Sequence, residues 1–409
     1  MELERLYPAV SPLTLLTTAL VVATPLCGQA SGSGVAATNT STVHASARHD
    51  FRVMTVAEGF DHPWSIAWLP NGDMLVTERA GRLRIVRDGK LLAKPVAGVP
   101  RVRARGQGGL LEVLPHPDFA TNRFLYLSFA KPNDDESLAT TAVVRGRLDG
   151  DRLVDVLEIF EAKAWASGNV HFAGRMVFDR EGYLYLAVGD RGEAPNLMAE
   201  HPAQSLAQHQ GTIVRLRDDG QVPADNPFIE KTGAMPEVWS YGHRNPQGLA
   251  VHPQTGDVWE DEHGPRGGDE VNLIRKGSNY GWPVVSSGIN YDGSLYSLEA
   301  HRQGMMSPLW TWVPSIATSG MAFYTGDEFP WWQSSIFVGG LVGERLIRLT
   351  LEGERVVSAE TLLADVLGRI RDVRQGPDGF LYLAIDDRRG QLTRVVRLEP
   401  VAGDVESPR

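Results

Sequence analysis

Short apolar runs, a tight polar turn and a second run of alternating apolar and polar positions recur along the chain from about residue 60 onwards. Alternation with a period of two marks a strand with one buried face, and turn residues between two such runs predict an antiparallel pair. The first copy, Ile66–Val76, folds back on Pro70-Asn71-Gly72, and the last, Val373–Ala384, on Pro377-Asp378-Gly379. Between them the same grammar returns in Leu111–Phe119 followed by Phe124–Leu127, in Met176–Ala187, in Leu249–Trp259 and, more loosely, in Met321–Gly326 with Ser335–Val338. Six copies spaced by roughly 45 to 75 residues are longer than most solenoid repeats and match four-stranded blades with inserted loops. No sustained helical periodicity competes, the best stretch being the short Glu360–Leu367. The pattern predicts an all-β fold, a six-bladed β-propeller of four-stranded antiparallel blades, which grows around an axis and needs no single large core. Loops at one face of such a ring converge on its channel, so residues distant in sequence meet there.

The first residues do not share this pattern. Pro12–Cys27 is apolar, too short to span a bilayer, and followed by the small residues of Gly28-Gln29-Ala30, which predicts a signal peptide over 1–30 and a periplasmic or secreted protein. Glu2 and Glu4 beside Arg5 make an unusual start to such a segment, so an uncleaved anchor is the alternative, and Thr24–Cys27 is a poor lipoprotein signal. Residues 31–50 are mostly small and polar and read as a flexible leader, the propeller then occupying 51–400 and a tail 401–409. Cys27 is the only cysteine, so the mature chain has no thiol for a disulfide or a cysteine-type zinc site. A net charge of −10 argues against nucleic acid or an anionic membrane surface as partner and points to a small solute.

Several segments carry chemistry-bearing residues at the expected channel face. His171, in the polar entry to the third repeat, suits a general base, and Asp190, in the turn that ends the same hairpin, suits a carboxylate that orients it. On position alone a structural histidine is the commoner outcome. Arg244 and Asn245 sit in a turn directly before the fourth repeat, and the planar fork of Arg244 matches a carboxylate or quinone oxygen, though surface pairing is the usual fate of arginine. Arg369 and Arg371 open the sixth repeat on the same side of a strand, an arrangement suited to a multiply charged anion. The stretch Glu260–Glu270 is acidic and rich in glycine, with carboxylates and turn carbonyls of the kind a hard cation takes, although its spacing is not that of an EF-hand and a solvated loop fits equally well. Lys276–Pro283 adds a neighbouring turn, and Gln107, between glycines, offers an uncharged amide to a sugar hydroxyl or a cofactor oxygen.

Taken in order, these segments resemble the soluble glucose dehydrogenases and aldose sugar dehydrogenases that use pyrroloquinoline quinone (PQQ), from about Phe51 to Leu398. The most specific pieces are Tyr241–Gly248, Glu262–Asn272 and Lys276–Pro283. The resemblance implies oxidation of an aldose at its anomeric carbon to an aldonolactone, with His171 as base, Asp190 behind it and Gln107 touching substrate and cofactor. It implies that Arg244, Asn245, Arg369 and Arg371 hold PQQ, that the carbonyls of Gly264 and Pro265 hold a calcium ion beside the quinone, and that Glu270 and Tyr280 hold a second, structural calcium. Electrons would pass on to a quinone or cytochrome. One position departs from the pattern: members place a lysine after the Val-Gly-x-Leu turn of the fifth blade, and here the residue is Val342, with Glu344 and Arg345 as the nearest charges. A calcium-dependent lactone hydrolase and a non-catalytic propeller that binds a glycan or a protein are the alternatives.

Overall fold

The computed structural model describes residues 42–295, 297 and 299–401, so the expected signal peptide and most of the expected tail lie outside the described residues. Among the described residues twenty-five strands form six antiparallel sheets, and each sequence repeat is the first hairpin of one blade. The first blade runs Pro63–Trp68, Met74–Glu78, Arg82–Arg87 and Lys90–Leu91, and the second Leu110–Pro115, Phe124–Pro132, Ala139–Asp149 and Arg152–Glu161. The third is Ala173–Phe178, Leu184–Val188, Thr212–Leu216 and Val238–Tyr241, and the fourth Pro246–Val251, Val258–Glu262, Asp269–Leu273 and Trp310–Trp312. Thr318–Phe323, Ser335–Gly340, Leu346–Glu352 and Arg355–Leu362 make the fifth, so the short helical pattern at 360–367 is the end of an outer strand and the turn after it.

The sixth blade closes the ring. Its inner strands are Arg369–Gln375, Leu381–Asp386 and Thr393–Pro400, and its fourth is Phe51–Phe60 from the other end of the chain, paired antiparallel with Thr393–Pro400. A further short strand, Val43–His44, adds to that edge, where His44 stacks on Phe51, so part of the expected leader pairs with the propeller. The six innermost strands contact one another in a closed circle, and six apolar clusters each fill the space between two neighbouring blades. Apolar burial is thus shared among six interfaces, as propeller growth requires. No helix among the described residues is long and apolar enough to cross a membrane.

Two features of the innermost strands position the site. In every blade the pairing of the first two strands slips near the start of the innermost one, at Pro63/Ser65, Leu110/Val113, Ala173/Met176, Pro246/Gly248, Thr318/Met321 and Ile370/Asp372. Bulges of this kind re-aim side chains, and here all six lie at the same end of the ring. Along the axis the strands carry buried charges. Arg175, 1% exposed, donates from Nη1 to Glu112 Oε2 at 2.9 Å, pairs with Asp372 Oδ1 at 3.0 Å, and donates from Nε to the Gln247 carbonyl at 2.8 Å. Its guanidinium also covers the Trp64 ring at 4.2 Å, and Arg374 completes the network by pairing with both Glu112 and Asp372. Arg175→Ala leaves two buried carboxylates to share the one cation of Arg374, so a loss of about 3–5 kcal/mol is expected in denaturant unfolding; a loss below about 1 kcal/mol would show that the axis does not depend on this charge.

Candidate active site

The bulged ends surround a cavity of about 320 Å³ whose wall includes Gln107, Phe172, Ala173, Gln247 and His263 on one side and Val342, Arg369, Arg371 and Asp386 on the other. Arg79 and Arg388 also line it, giving, among the described residues, four arginines against the single carboxylate of Asp386. Arg369 Nε donates to Asp386 Oδ2 at 3.2 Å and its Nη1 to the Leu341 carbonyl at 3.1 Å, while Arg371 Nη1 donates to Gln247 Oε1 at 3.2 Å and its Nη2 lies 4.0 Å from Asp386 Oδ2. Arg369 and Arg371 therefore share one face as alternation implies, despite the intervening bulge. Burial holds Arg371 down to about 10, because a charge in a dry pocket is costly even with Asp386 beside it.

His171 and Asp190 form a tight pair next to this cavity. Neither is among the residues lining it, but Gln107, which does line it, accepts the His171 backbone N–H through Oε1 at 2.8 Å. His171 has a left-handed backbone with φ of 51°, and a Cβ at Gly189 would lie 2.2 Å from the His171 carbonyl oxygen, so only glycine allows the approach. His171 Nδ1 lies 2.6 Å from Asp190 Oδ1, which also accepts the Gly192 N–H at 2.8 Å. Asp190 Oδ2 accepts from Trp282 Nε1 at 2.8 Å. Burial opposes ionisation of Asp190, but His171 and Arg244 overcome it and hold the carboxyl below its usual range. Burial likewise holds His171 below the ordinary histidine value, outweighing the Asp190 carboxylate, with Arg244 adding to the depression. The imidazole is thus neutral at neutral pH, with Nδ1 committed to Asp190 and Nε2 left as its base.

Arg244 and Asn245 do not line the larger cavity. Arg244 Nη1 donates to the carbonyls of His263 at 3.1 Å and Gly264 at 2.8 Å, and its guanidinium lies 5.2 Å from the Trp282 ring. Asn245 is fully buried; its backbone N–H donates to Glu262 Oε2 at 3.1 Å and its Oδ1 accepts from Gln247 Nε2 at 3.2 Å. Arg244 instead lines a second cavity of about 20 Å³ with Glu262, His263, Gly264, Glu270 and Tyr280. Gly264, Glu270 and Tyr280, expected around two ions, thus face one ion-sized space, whereas Pro265 is not among the residues lining it and its carbonyl accepts from Ser315 Oγ at 3.2 Å.

The donor set there suits a hard cation. Burial and the neighbouring Glu262 raise Glu260 to about 7 and push Glu270 well above the carboxylate range, which means the acids crowd one another with too little positive charge. His243 Nδ1 stands 3.5 Å from Glu260 and 3.4 Å from Glu262, and Asn272 Nδ2 bridges Glu260 and Glu270 at 2.9 and 3.3 Å. Glu260 and Asn272 do not line the smaller cavity themselves, but beside its acids Glu260 Oε2 and Asn272 Oδ1 are buried with no hydrogen-bond partner among the described residues, the state of oxygens that a cation satisfies. Gly264's carbonyl, although bonded to Arg244, keeps a second lone pair.

His263, Gln247, Asp386 and Trp282 belong to the site without having been singled out in the sequence. His263 Nε2 meets the Thr318 carbonyl at 2.6 Å, and burial with Arg244 lowers it to about 3, so it is a neutral ring that lines both cavities. For the dyad, an NMR titration of the His171 ring is expected to give a pKa below 6.5. Asp190→Asn removes the opposing carboxylate and should lower it further; Trp282→Phe leaves Asp190 Oδ2 without its donor and should raise it. A wild-type value at or above 6.5 would contradict burial as the dominant influence.

A family model described as glucose / sorbosone dehydrogenase matches residues 60–394. The chain is 46% identical over 349 residues to the aldose sugar dehydrogenase YliI of Escherichia coli, covering 84% of this chain and 92% of that protein. A crystal structure of a glucose dehydrogenase is 49% identical with a TM-score of 0.79, over 86% of this chain and 99% of its own. The PQQ-bound form of an aldose sugar dehydrogenase from Streptomyces coelicolor is 30% identical with a TM-score of 0.70, over 87% of this chain and 99% of its own. Because the family match begins in the strand that closes the ring and ends in the strand it closes against, all six blades take part, and the chain belongs to the glucose/sorbosone dehydrogenase family.

Proposed function

We propose that this protein oxidises aldoses at the anomeric carbon to aldonolactones, using PQQ and calcium. The observation that carries the proposal is the charge balance of the larger cavity, where four arginines face one carboxylate. A concave site with so much uncompensated positive charge suits a compact polyanion, and PQQ bears three carboxylates. The PQQ-bound relative supports the same choice. Arg369 and Arg371 would hold the cofactor directly, while Arg244 and Asn245 would act from behind, through His263, Gly264 and Gln247. Glu270, Tyr280 and the Gly264 carbonyl would hold calcium in the smaller cavity. When bound, PQQ supplies the acceptor for the hydride from the anomeric carbon, and calcium is suited to polarising or structural support nearby.

The chain's own residues do the rest. His171 takes the proton of the anomeric hydroxyl at Nε2, and the Asp190 carboxylate stabilises the imidazolium that results. Trp282 and Gly192 keep Asp190 from rotating away by occupying both of its oxygens. Gln107 spends its carbonyl oxygen on the His171 backbone, which leaves its amide nitrogen for a sugar hydroxyl in the cavity it lines. A lactone hydrolase would call for several carboxylates around the cavity, and Asp386, the one there among the described residues, faces two arginines. The expected signal peptide supports a periplasmic or secreted location, with a quinone or cytochrome as electron acceptor.

Steady-state assays of reconstituted enzyme test the base: His171→Ala is expected to lower kcat by roughly two to four orders of magnitude while PQQ still binds. Near-normal turnover in that variant would remove His171 from the mechanism. Thermal melts test the ion. Calcium at a hundredfold excess over its Kd should stabilise the fold by about 2.7 kcal/mol, and Glu270→Gln should weaken that response. Melting curves indifferent to calcium and chelator would contradict the cation site.

A further inference from the structure

The four arginines of the larger cavity are not equivalent. Arg369 and Arg371 are tied to Asp386, Leu341 and Gln247, so part of their charge and most of their geometry is already committed. Arg388 is exposed, lines the same cavity, and its guanidinium makes no hydrogen bond or ion pair among the described residues. It stands in the turn between Leu381–Asp386 and Thr393–Pro400 of the sixth blade. That turn is pinned by Asp387, whose carboxylate accepts the backbone N–H of Arg389 at 2.6 Å and of Gln391 at 3.4 Å. The base of Arg388 is therefore held while its charged end is left without a protein partner.

On the neighbouring fifth blade, Val342 puts an uncharged and half-exposed side chain into the wall, beside Leu341 whose carbonyl binds Arg369. The nearby Arg345 does not fill this place. Its Nε donates to the Gly343 carbonyl at 3.0 Å, and it is not among the residues lining the cavity. The fifth-blade side thus offers no cation of its own; Arg79, half-buried just after the second strand of the first blade, likewise has no side-chain partner among the described residues, and the exposed unpartnered arginine comes from the sixth blade, next to the fifth.

We infer that Arg388 is a cofactor-binding residue of this chain: it pairs with a carboxylate of PQQ at the cavity rim, taking the part for which the fifth blade offers only Val342. This rests on the PQQ reading and adds to it which residue completes the anion site. An arginine whose charge lacks a protein partner gives up only its hydration and its side-chain freedom on binding an anion and breaks no bond within the protein, so the new charge-assisted pair adds net affinity, reduced by screening at an exposed site.

Titrating PQQ into the full-length apo-protein with calcium present, followed by tryptophan quenching and by the visible spectrum, measures Kd without turnover. Arg388→Ala is expected to weaken binding roughly tenfold and to flatten its dependence on salt, Arg388→Gln to do the same, and Arg345→Ala to leave Kd unchanged. Val342→Lys in the Arg388→Ala background should restore affinity, since it returns a cation to the same cavity. Thermal melts of the apo-variants report whether they fold. Wild-type binding that folded Arg388→Ala and Arg388→Gln leave unchanged would overturn the role of Arg388 and leave the PQQ reading standing; no PQQ binding by the wild type would overturn both.

Discussion

Arg175 holds the centre of this molecule, and its position explains much of what surrounds it. It starts in the third blade, lies over Trp64 of the first, pairs with Glu112 of the second and Asp372 of the sixth, and donates to the Gln247 carbonyl of the fourth. A buried guanidinium is tolerated only where carboxylates and carbonyls surround it closely, so five blades are brought to one point on the axis. Apolar clusters hold neighbouring blades together in pairs, but the charge network fixes how the innermost strands stand relative to one another. Gln247, whose carbonyl serves Arg175, presents its side chain to Arg371 in the cavity above, which links the axis directly to the site.

The same constraint, the cost of charge away from water, gives each part of the site its character. The larger cavity has a surplus of positive charge and the smaller one a surplus of crowded acids, and His263, held neutral by burial, stands in the wall of both. Each surplus is a demand for a ligand of the opposite sign. His171 is kept uncharged by burial while Asp190 is kept ionised by its neighbours, which is the division of states a base and its orienting acid need. Trp282 joins the two regions, since its indole reaches Asp190 while its ring stands in the wall of the smaller cavity under Arg244.

Much of this architecture is legible in the sequence because each blade announces itself by its first hairpin. Ile66–Val76 and its five successors all coincide with the two inner strands of a blade, where alternation and turn residues are strongest. Outer strands such as Arg355–Leu362 are largely exposed, have no apolar face to reveal them, and there a helical pattern appears instead. The pairing of His171 with Asp190 follows from their places at the two ends of one hairpin, and that of Arg369 with Arg371 from alternation. What sequence does not resolve is which of two adjoining cavities a side chain enters: Arg244, Asn245 and Pro265 lie outside the wall of the larger one, whereas Gln247 and Asp386 are in it. A signal for the axis was nevertheless present, because Glu112 is a charge set inside the otherwise apolar strand Leu110–Pro115, where only a buried partner justifies it. The crowding of Glu260, Glu262 and Glu270 needs the strand pairing of Val258–Glu262 with Asp269–Leu273 before it can be seen.

The central claim, that the arginine-rich cavity positions an aldose for oxidation beside a neutral His171, is tested most directly by a single turnover. Protein loaded with PQQ and calcium is mixed anaerobically with an aldose carrying hydrogen or deuterium at the anomeric carbon, and the quinone absorbance is followed in time. The account predicts loss of that absorbance in proportion to the sugar oxidised, slowed several-fold by deuterium and lost when the pH falls far enough to protonate His171. A quinone spectrum that sugar leaves untouched, in protein shown to hold PQQ, would contradict it.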